Sequence, residues 1–214
     1  GRHARPTALC SRAMSLPREA SVPTYPTERA AALSDGLFSI AATLLVIDVR
    51  LPAGAGEFHW AMLAEVAPRI LGYLISFLVI GQLWVAHHRK LRLVERIDAR
   101  GLWLNLLFLM FVAFIPFPTA VLSEHGNRDA VVLYALTIVA ASSMLILLWA
   151  HLGRHREWLV QRDTLAEDLR RERLRTMVVP AVFVLSMPLA WHEPRWAMYS
   201  WIVLAPMAWL LGRR

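Results

Sequence analysis

The sequence has very little cysteine and little charge. Cys10 is the only cysteine among the 214 residues, so no disulfide can form within the chain. Charged residues make up only 18% and hydrophobic residues 57%, whereas about a quarter of an average soluble domain is charged. The apolar residues come in blocks about as long as a bilayer is thick. The composition therefore excludes a small disulfide-stabilised domain and predicts an all-α integral membrane protein.

Motifs of the common enzyme classes are missing as well. The sequence contains no Gly-rich phosphate loop, no Gly-x-Ser-x-Gly elbow and no His-Glu-x-x-His zinc motif. An intramembrane enzyme would depend on the scattered residues Asp35, His87 and Asp48. The adjacent residues His87 and His88 diverge by about 100° on a helix, so they do not easily bind one metal ion. We therefore expect no enzyme activity, no metal site and no cofactor.

The basic charge follows the predicted membrane topology. The net charge is +7, which could indicate nucleic acid, but the positive residues lie at the ends of apolar blocks and no nucleic-acid motif accompanies them. Of the 23 Lys and Arg residues, 19 fall in the N-terminal leader, the second and fourth connections and the C-terminal end. Only Arg50, Arg128 and Arg195 lie in the other connections, and Arg69 lies within a span. The positive-inside rule then predicts that both termini are cytoplasmic.

The apolar blocks predict six membrane spans within a domain of residues 28–214. Residues 1–27 are expected to form a disordered cytosolic leader, and 151–176 to contain a cytosolic helix that continues into the fifth span. The Pro116-Phe117-Pro118 segment is expected to break the third span towards its exterior end. The predicted spans are residues 30–51, 60–86, 102–122, 130–150, 177–191 and 196–211.

The first span contains polar residues that are costly in a membrane. An ionisable group at such a position is a candidate for function, although Asp35 could equally anchor a hydrogen bond between helices. At about 100° per residue, two faces separate on this helix. One combines apolar and hydroxyl side chains, and the other is small, polar and suited to close helix packing. The first face consists of Ile40, Thr43 and Ile47, and the second of Asp35, Ser39 and Ala42.

The motif Arg29-xxx-Leu33-Ser34-Asp35, followed by Ile40 and Thr43, resembles the transmembrane protein 175 family of potassium channels. That family is marked by Arg-xxx-Phe-Ser-Asp on its first span, so this sequence departs from the pattern at Leu33 and lacks the aromatic ring there. The resemblance covers roughly residues 28–122. It extends to Leu45-Val46-Ile47-Asp48-Val49-Arg50-Leu51-Pro52, Trp84, His87-His88-Arg89, Asn105 and Pro116-Phe117-Pro118-Thr119.

The resemblance implies a prokaryotic cation channel of the cell membrane with six spans per subunit and no Thr-Val-Gly-Tyr-Gly filter. Such chains are expected to form homotetramers in which the first span lines a central pore for K⁺. Ile40 is then the apolar constriction and Thr43 an adjacent hydroxyl layer, with Ile47 also in the ion pathway. An apolar neck can gate by dewetting.

The resemblance also implies a network at the cytosolic mouth that packs and gates the pore. Its motif residues are Arg29, Leu33, Ser34 and Asp35, and the supporting inter-helix contacts are Trp84, His87, His88 and Asn105. We expect His87, His88 or Asn105 to contact Asp35. A proton-coupled secondary transporter that uses Asp35 remains an alternative, although the two halves of the chain show no convincing repeat.

Overall fold

The computed structural model describes residues 23–51, 57–155 and 166–202, and they form a helical bundle with one small two-stranded sheet. Residues 166–173 and 202 are described by their backbone. Strand β1 precedes the first helix, and β2 lies between the third and fourth helices. The elements are β1 Thr24–Pro26, α1 Thr27–Leu44, α2 Met62–Glu65, α3 Ala67–Leu91, β2 Arg96–Asp98, α4 Ala99–Phe114, α5 Pro116–His125, α6 Arg128–Arg154, α7 Ala166–Ser186, α8 Leu189–His192 and α9 Pro194–Ile202.

Five helical segments within the described residues are long and apolar enough to cross a membrane: Thr27–Asp48, Ala67–Leu91, Ala99–His125, Arg128–Arg154 and Leu174–His192. They correspond in order to the first five predicted spans. For the sixth, the structure describes the beginning as α9, and residues 203–214 lie outside the described residues.

Proline residues set several helix boundaries. The third span bends at Ile115, where α4 ends and α5 starts with Pro116, and this confirms the predicted break. The second span begins later than predicted, because a short helix, α2, ends at Val66 before α3 starts with Pro68 in its first turn. The missing N–H of proline leaves no hydrogen bond unmade in the first turn of a helix.

The predicted continuous helix into the fifth span is present as α7, which runs from Ala166 to Ser186. The predicted cytosolic segment before it falls partly on residues 156–165, outside the described residues. The fifth span does not continue as one helix to residue 191, since a turn at Met187-Pro188 separates α7 from the short α8.

The disorder predicted for the leader does not extend to its last residues. Strand β1 pairs antiparallel with β2, with Tyr25 opposite Ile97. The Arg96 side chain reinforces the pair by donating to the Thr24 hydroxyl at 2.6 Å and to the Thr24 carbonyl at 2.9 Å. Residues 1–22 of the predicted leader lie outside the described residues. The sheet fixes the point at which the chain enters α1.

Helix α6 lies at the centre of the bundle and packs against α4, α5 and α7. Its core positions Val131, Ala135 and Ile138 are fully buried. A hydroxyl cluster also joins three helices in this core: Ser76 on α3 bonds Thr119 on α5 at 2.8 Å and donates to Tyr134 on α6 at 3.0 Å. Helix α1 packs on one side of this core, against α3 and α4.

Candidate functional site

Helix α1 has one buried face and one exposed face within the single chain. The buried face packs against α3 and α4 and consists of Thr27, Ala30, Ser34, Phe38 and Ala41. The opposite face of this membrane span is exposed and largely apolar. Ile40 is 55% exposed and Ile47 is 51% exposed, and Thr43 lies between them on the same exposed face. The predicted stripe of Ile40, Thr43 and Ile47 is therefore turned away from the subunit's own core.

The Thr43 hydroxyl has a defined orientation on this face. It donates to the Ile40 carbonyl at 2.9 Å, so its hydrogen is directed back along the helix. The oxygen lone pairs are left available to accept from water or to contact a cation. Ile47 follows in a 3₁₀ turn over Leu45–Asp48 that continues α1.

The end of this turn is tied to the next span. Arg50 donates to the Ile47 carbonyl at 2.9 Å, and Arg69 on α3 donates to the Arg50 carbonyl at 2.9 Å. These two bonds satisfy carbonyls that the end of the helix leaves free. Arg69, an unexpected charge within the second span, therefore holds the far end of the stripe against α3.

The second predicted face of α1 is only partly packed within the single chain, because Ala42 is half-buried against the core and the other two residues are exposed. Asp35 and Ser39 are exposed in the single chain, and the Ser39 hydroxyl donates to the Asp35 carbonyl of its own helix at 2.9 Å. The packed face instead carries Ser34 and Phe38, which each precede a residue of the predicted face by one position. The physical reason is that Phe38 offers much more apolar surface to the core than the small side chains of the predicted face.

Asp35 receives its hydrogen bond from a tryptophan. The indole Nε1 of Trp84 on α3 donates to Asp35 Oδ1 at 2.8 Å, and the Trp84 ring stacks on His88 with centroids 5.3 Å apart. The expected contact of Asp35 with His87, His88 or Asn105 is therefore corrected to Trp84. Trp84 lies one helical turn before the two histidines on α3. A contact between Asp35 and either histidine would therefore require α1 to lie about one turn further along α3.

His87 and Asn105 meet Ser34 instead, inside the bundle. Asn105 on α4 donates through Nδ2 to Ser34 Oγ at 3.2 Å, and His87 Nε2 donates to Asn105 Oδ1 at 2.7 Å. Ser34 donates in turn to the Ala30 carbonyl at 2.7 Å. All three side chains are at most 1% exposed. This buried network links α1, α3 and α4.

Two phenylalanine residues that the sequence interpretation did not single out enclose this network. His87 stacks on Phe108 with centroids 5.1 Å apart, and Phe38 contacts both rings at 5.9 and 5.8 Å. Phe38 follows the motif by one helical turn. One indication of its role was available in the sequence, because Phe38 lies on the same face of α1 as Ser34.

The remaining motif residues, Arg29 and Leu33, lie on the surface of the single chain. Leu33 is 49% exposed, so the residue that replaces the family's phenylalanine does not join the aromatic cluster around His87. A cavity of about 350 Å³ opens between this end of α1 and the end of α3, with Asp35, His87 and His88 in its wall. The cavity leaves room for water molecules beside the motif.

A second polar contact, Asp98 with His151, joins the start of α4 to the end of α6. His151 Nε2 donates to both carboxylate oxygens of Asp98 at 2.9 Å, and Gly101 N–H donates to Asp98 Oδ1 at 2.9 Å. Burial by itself raises the pKa of the Asp98 carboxyl, but the bonds from Gly101 and His151 outweigh it and hold that pKa below its ordinary value. Asp98 is recognisable in sequence as a helix N-cap, whereas nothing local identifies its partner 53 residues away.

No group of three or more His, Cys, Asp or Glu side chains is placed to hold a metal ion within residues 23–51, 57–155 and 166–202. His87 and His88 point to different surroundings, since His87 is 1% exposed in the core and His88 lies on the exposed side against Trp84. The site thus offers hydrogen bonds between the buried face of α1 and its neighbouring helices. The exposed face of α1 offers an apolar surface with one hydroxyl layer.

The chain matches the model of a known protein family. Residues 29–116 match the model of the family described as endosomal/lysosomal potassium channel TMEM175. This range contains α3, α4 and all but the first two residues of α1, and it includes every site residue that the sequence analysis proposed.

Relatives and a solved structure agree with that match. The chain is 42% identical over 132 residues to a potassium channel of Streptomyces collinus, an alignment that covers 59% of this chain and 64% of that protein. It is 32% identical over 152 residues to the endosomal/lysosomal proton channel TMEM175 of Gallus gallus, covering 64% of this chain and 29% of that protein. The fold is similar to the crystal structure of a lysosomal potassium-selective channel TMEM175 homolog from Chamaesiphon minutus, with a TM-score of 0.73, 31% identity and coverage of 86% and 96% of the two chains.

Proposed function

The chain belongs to the TMEM175 family, and we propose that it forms a K⁺ channel in the cell membrane, as a homotetramer of six-span subunits with α1 of each subunit around a central pore. The observation that carries the proposal is the exposed stripe of α1. A surface of Ile40, Thr43 and Ile47 that faces away from its own subunit's core is suited to line a passage shared with other copies.

The stripe has the chemistry of a hydrophobic constriction with a polar layer beside it. A ring of Ile40 side chains narrows the passage and excludes water unless it widens. K⁺ sheds its hydration shell more readily than Na⁺, so an apolar neck favours K⁺. The Thr43 hydroxyls, with their hydrogens directed to the Ile40 carbonyls, offer lone pairs that replace part of the lost hydration. Ile47 continues the pathway towards the far end of α1.

The motif residues then act around the cytoplasmic mouth. The distribution of Lys and Arg supports a cytoplasmic location for both termini. Ser34, through Asn105, holds α1 against the core, and Asp35, through Trp84, holds it against α3. Arg29 and Leu33, exposed in the single chain, face neighbouring subunits or the mouth. The protein is a conducting pore and not an enzyme, and K⁺ is its permeant ion rather than a bound cofactor.

Proton-coupled transport through Asp35 is the second candidate. The observations that favour it are the cavity of about 350 Å³ beside Asp35 and the proton-channel name of the Gallus gallus relative. A coupled transporter moves K⁺ only together with or against protons. A channel instead passes K⁺ down its own gradient when the proton gradient is abolished.

Reconstitution into liposomes with K⁺ or Na⁺ gradients tests the proposal. With a protonophore present, we expect K⁺ flux to persist and to exceed Na⁺ flux. Ile40→Asn should raise the flux and reduce the preference for K⁺, and Thr43→Val should reduce the preference because it removes the hydroxyl while keeping the shape. The control is Leu136→Asn, the same type of change at a 52% exposed leucine on α6. Unchanged flux and selectivity in Ile40→Asn would refute the constriction. K⁺ movement that an imposed pH gradient drives without a K⁺ gradient and without the protonophore would favour the transporter.

A further inference from the structure

An apolar groove lies between α1 and α3, beside the exposed stripe of α1. Its volume is about 170 Å³, comparable with cavities of about 150 Å³ that take a benzene-sized group. The side chains around it are mostly apolar, and they come from two helices. They are Phe38, Ser39 and Ala42 on α1 and Phe77, Gly81 and Trp84 on α3. The groove is therefore large enough for one aliphatic side chain.

Gly81 creates the groove by leaving a gap between two aromatic residues. Phe77 and Trp84 lie about one turn before and after it on α3, and nothing lies within 4 Å of a Cβ built at Gly81. The polar hydrogens at the groove are already used, since the Ser39 hydroxyl donates to the Asp35 carbonyl and the Trp84 Nε1 to the Asp35 carboxylate. The gap is thus suited to an apolar occupant.

The opposite flank of α1 carries exposed leucine side chains. Leu33 is 49% exposed and Leu44 is 41% exposed. They are eleven residues apart, so both point to the same side of the helix within about 20°. The flank beside the groove carries the small side chains of Ser39 and Ala42 instead. One side of α1 is therefore bulky and the other side is recessed.

Three consecutive residues relate these two flanks to the exposed stripe. Successive residues of a helix diverge by about 100°, so Ala42 lies to one side of Thr43 and Leu44 to the other. When Thr43 faces an axis shared by several copies, Ala42 and the groove face one neighbouring copy and Leu44 faces the other. The two surfaces differ in shape, so copies meet head to tail, the type of interface that closes into rings.

The height of Leu44 along α1 matches that of the groove. Copies related by rotation about one axis carry the same residue at the same height. The Leu44 side chain points back towards the start of its helix, to the level at which Ala42 lines the groove. The groove also adjoins the stripe, because Ser39 lies only about 40° from Thr43 around α1. Both features favour a second copy of the chain over a lipid tail as the occupant.

We propose that Leu44 of each subunit inserts into the groove of the next subunit, between the rings of Phe77 and Trp84 in that subunit. This contact rests on the proposed function, because it requires α1 of several copies around one axis. It adds the side chains that join the copies and that hold Thr43 towards the axis from both sides.

Oxidative cross-linking of the full chain in membranes tests the contact. In a Cys10→Ser background, Leu44→Cys combined with Ala42→Cys should give a ladder of disulfide-linked species up to the complete ring. The two positions lie on opposite sides of α1, so no disulfide can join them within one chain. Leu44→Cys alone should give no ladder. The control is Leu136→Cys combined with Ala42→Cys, because Leu136 is a 52% exposed leucine on α6.

Filling the groove or removing its occupant should weaken subunit association. Gly81→Leu occupies the gap, and Leu44→Ala removes the inserted side chain. Native mass spectrometry on dilution should show association at least about tenfold weaker in each, as expected for one leucine side chain that is no longer buried. Gly81→Ala adds only one carbon, and Gly153→Leu changes an α6 glycine that likewise has nothing within 4 Å of a built Cβ. Both should change association less than about twofold.

Three results would overturn the contact: no ladder from the Leu44 and Ala42 pair, an equal ladder from Leu44→Cys alone or from the control pair, or unchanged association in Gly81→Leu. Persistent K⁺ flux beside any of them would leave the proposed channel standing. A ladder from a protein that passes no K⁺ would instead support the contact and refute the channel.

Discussion

Replacement of Asn105 tests whether the buried network that holds α1 is a single unit. Asn105→Leu removes the acceptor of the His87 Nε2 hydrogen and the donor to Ser34. His87 is 1% exposed, so its N–H finds no water and costs about 1–3 kcal/mol. The bond to Ser34 contributes a further ~1 kcal/mol. We expect the free energy of unfolding to fall by roughly 2–4 kcal/mol.

The second change is His87→Phe, which by itself leaves Asn105 Oδ1 without its donor. The replacement ring fits the position, because the His87 ring already stacks on Phe108 and contacts Phe38. In the double variant, both polar partners are replaced by apolar groups, a change that is often nearly neutral. We therefore expect the double variant to be at least as stable as Asn105→Leu, with a coupling energy of about 1–3 kcal/mol.

The assay is unfolding in mixed detergent micelles for the wild type, the two single variants and the double variant. Asn127→Leu is the control, since Asn127 caps α6 by accepting from Ala130 N–H and takes no part in the network. Its effect of about 1 kcal/mol should add to that of His87→Phe. If the effects of Asn105→Leu and His87→Phe also add without coupling, the hydrogen bond between them does not stabilise the bundle and the reasoning is refuted.

Two further predictions concern the bundle around this site. The depressed pKa of Asp98 means that its ionised form stabilises the fold above the unfolded-state pKa of about 4, and that this stabilisation disappears as the pH falls through the lower folded-state value. Asp98→Asn should therefore weaken the loss of melting temperature on acidification, whereas Asp129→Asn, at an 82% exposed side chain, should not; identical acid profiles for all three proteins would contradict this. A Cβ added at Gly72 would fall on Ser123 Oγ, while nothing lies within 4 Å of one added at Gly81. Gly72→Ala should thus destabilise by about 1–3 kcal/mol and Gly81→Ala should not, as thermal unfolding in detergent would measure; equal effects would show that Ser123 moves aside freely.

The order of the spans and the exposed stripe of α1 were accessible from sequence because each depends on local periodicity. The break at Ile115 follows from Pro116 in the same way. What could not be predicted depends on how far one helix is shifted along another. Asp35 and Trp84 are 49 residues apart, and a shift of one turn along α3 exchanges Trp84 for His87 or His88. At the observed offset Phe38 packs against His87 on α3 and Phe108 on α4, contacts that a single sequence does not encode locally.

The pairing of β1 with β2 and the contact of His151 with Asp98 escaped prediction for a related reason. Each strand is three residues long, too short for an alternating pattern to be visible. The break at Val66 before α3 likewise has no signal beyond Pro68. For the strand pair and for the contact of His151 with Asp98, residues distant in sequence determine the local structure.

The buried network and the exposed stripe are two consequences of one helical register. Thr43 follows Ser34 by nine residues, which places the two side chains about 180° apart around α1. The bond from Asn105 to Ser34 therefore holds the side of the helix that faces away from Thr43. A rotation of α1 by a single residue position, about 100°, would break that bond and turn Thr43 and Ile40 away from their present direction. Because Asp35 is bound separately to Trp84 on α3, two contacts on different sides of α1 oppose such a rotation. The two motif residues that make these contacts, Ser34 and Asp35, thus fix the orientation of the stripe without lying in it.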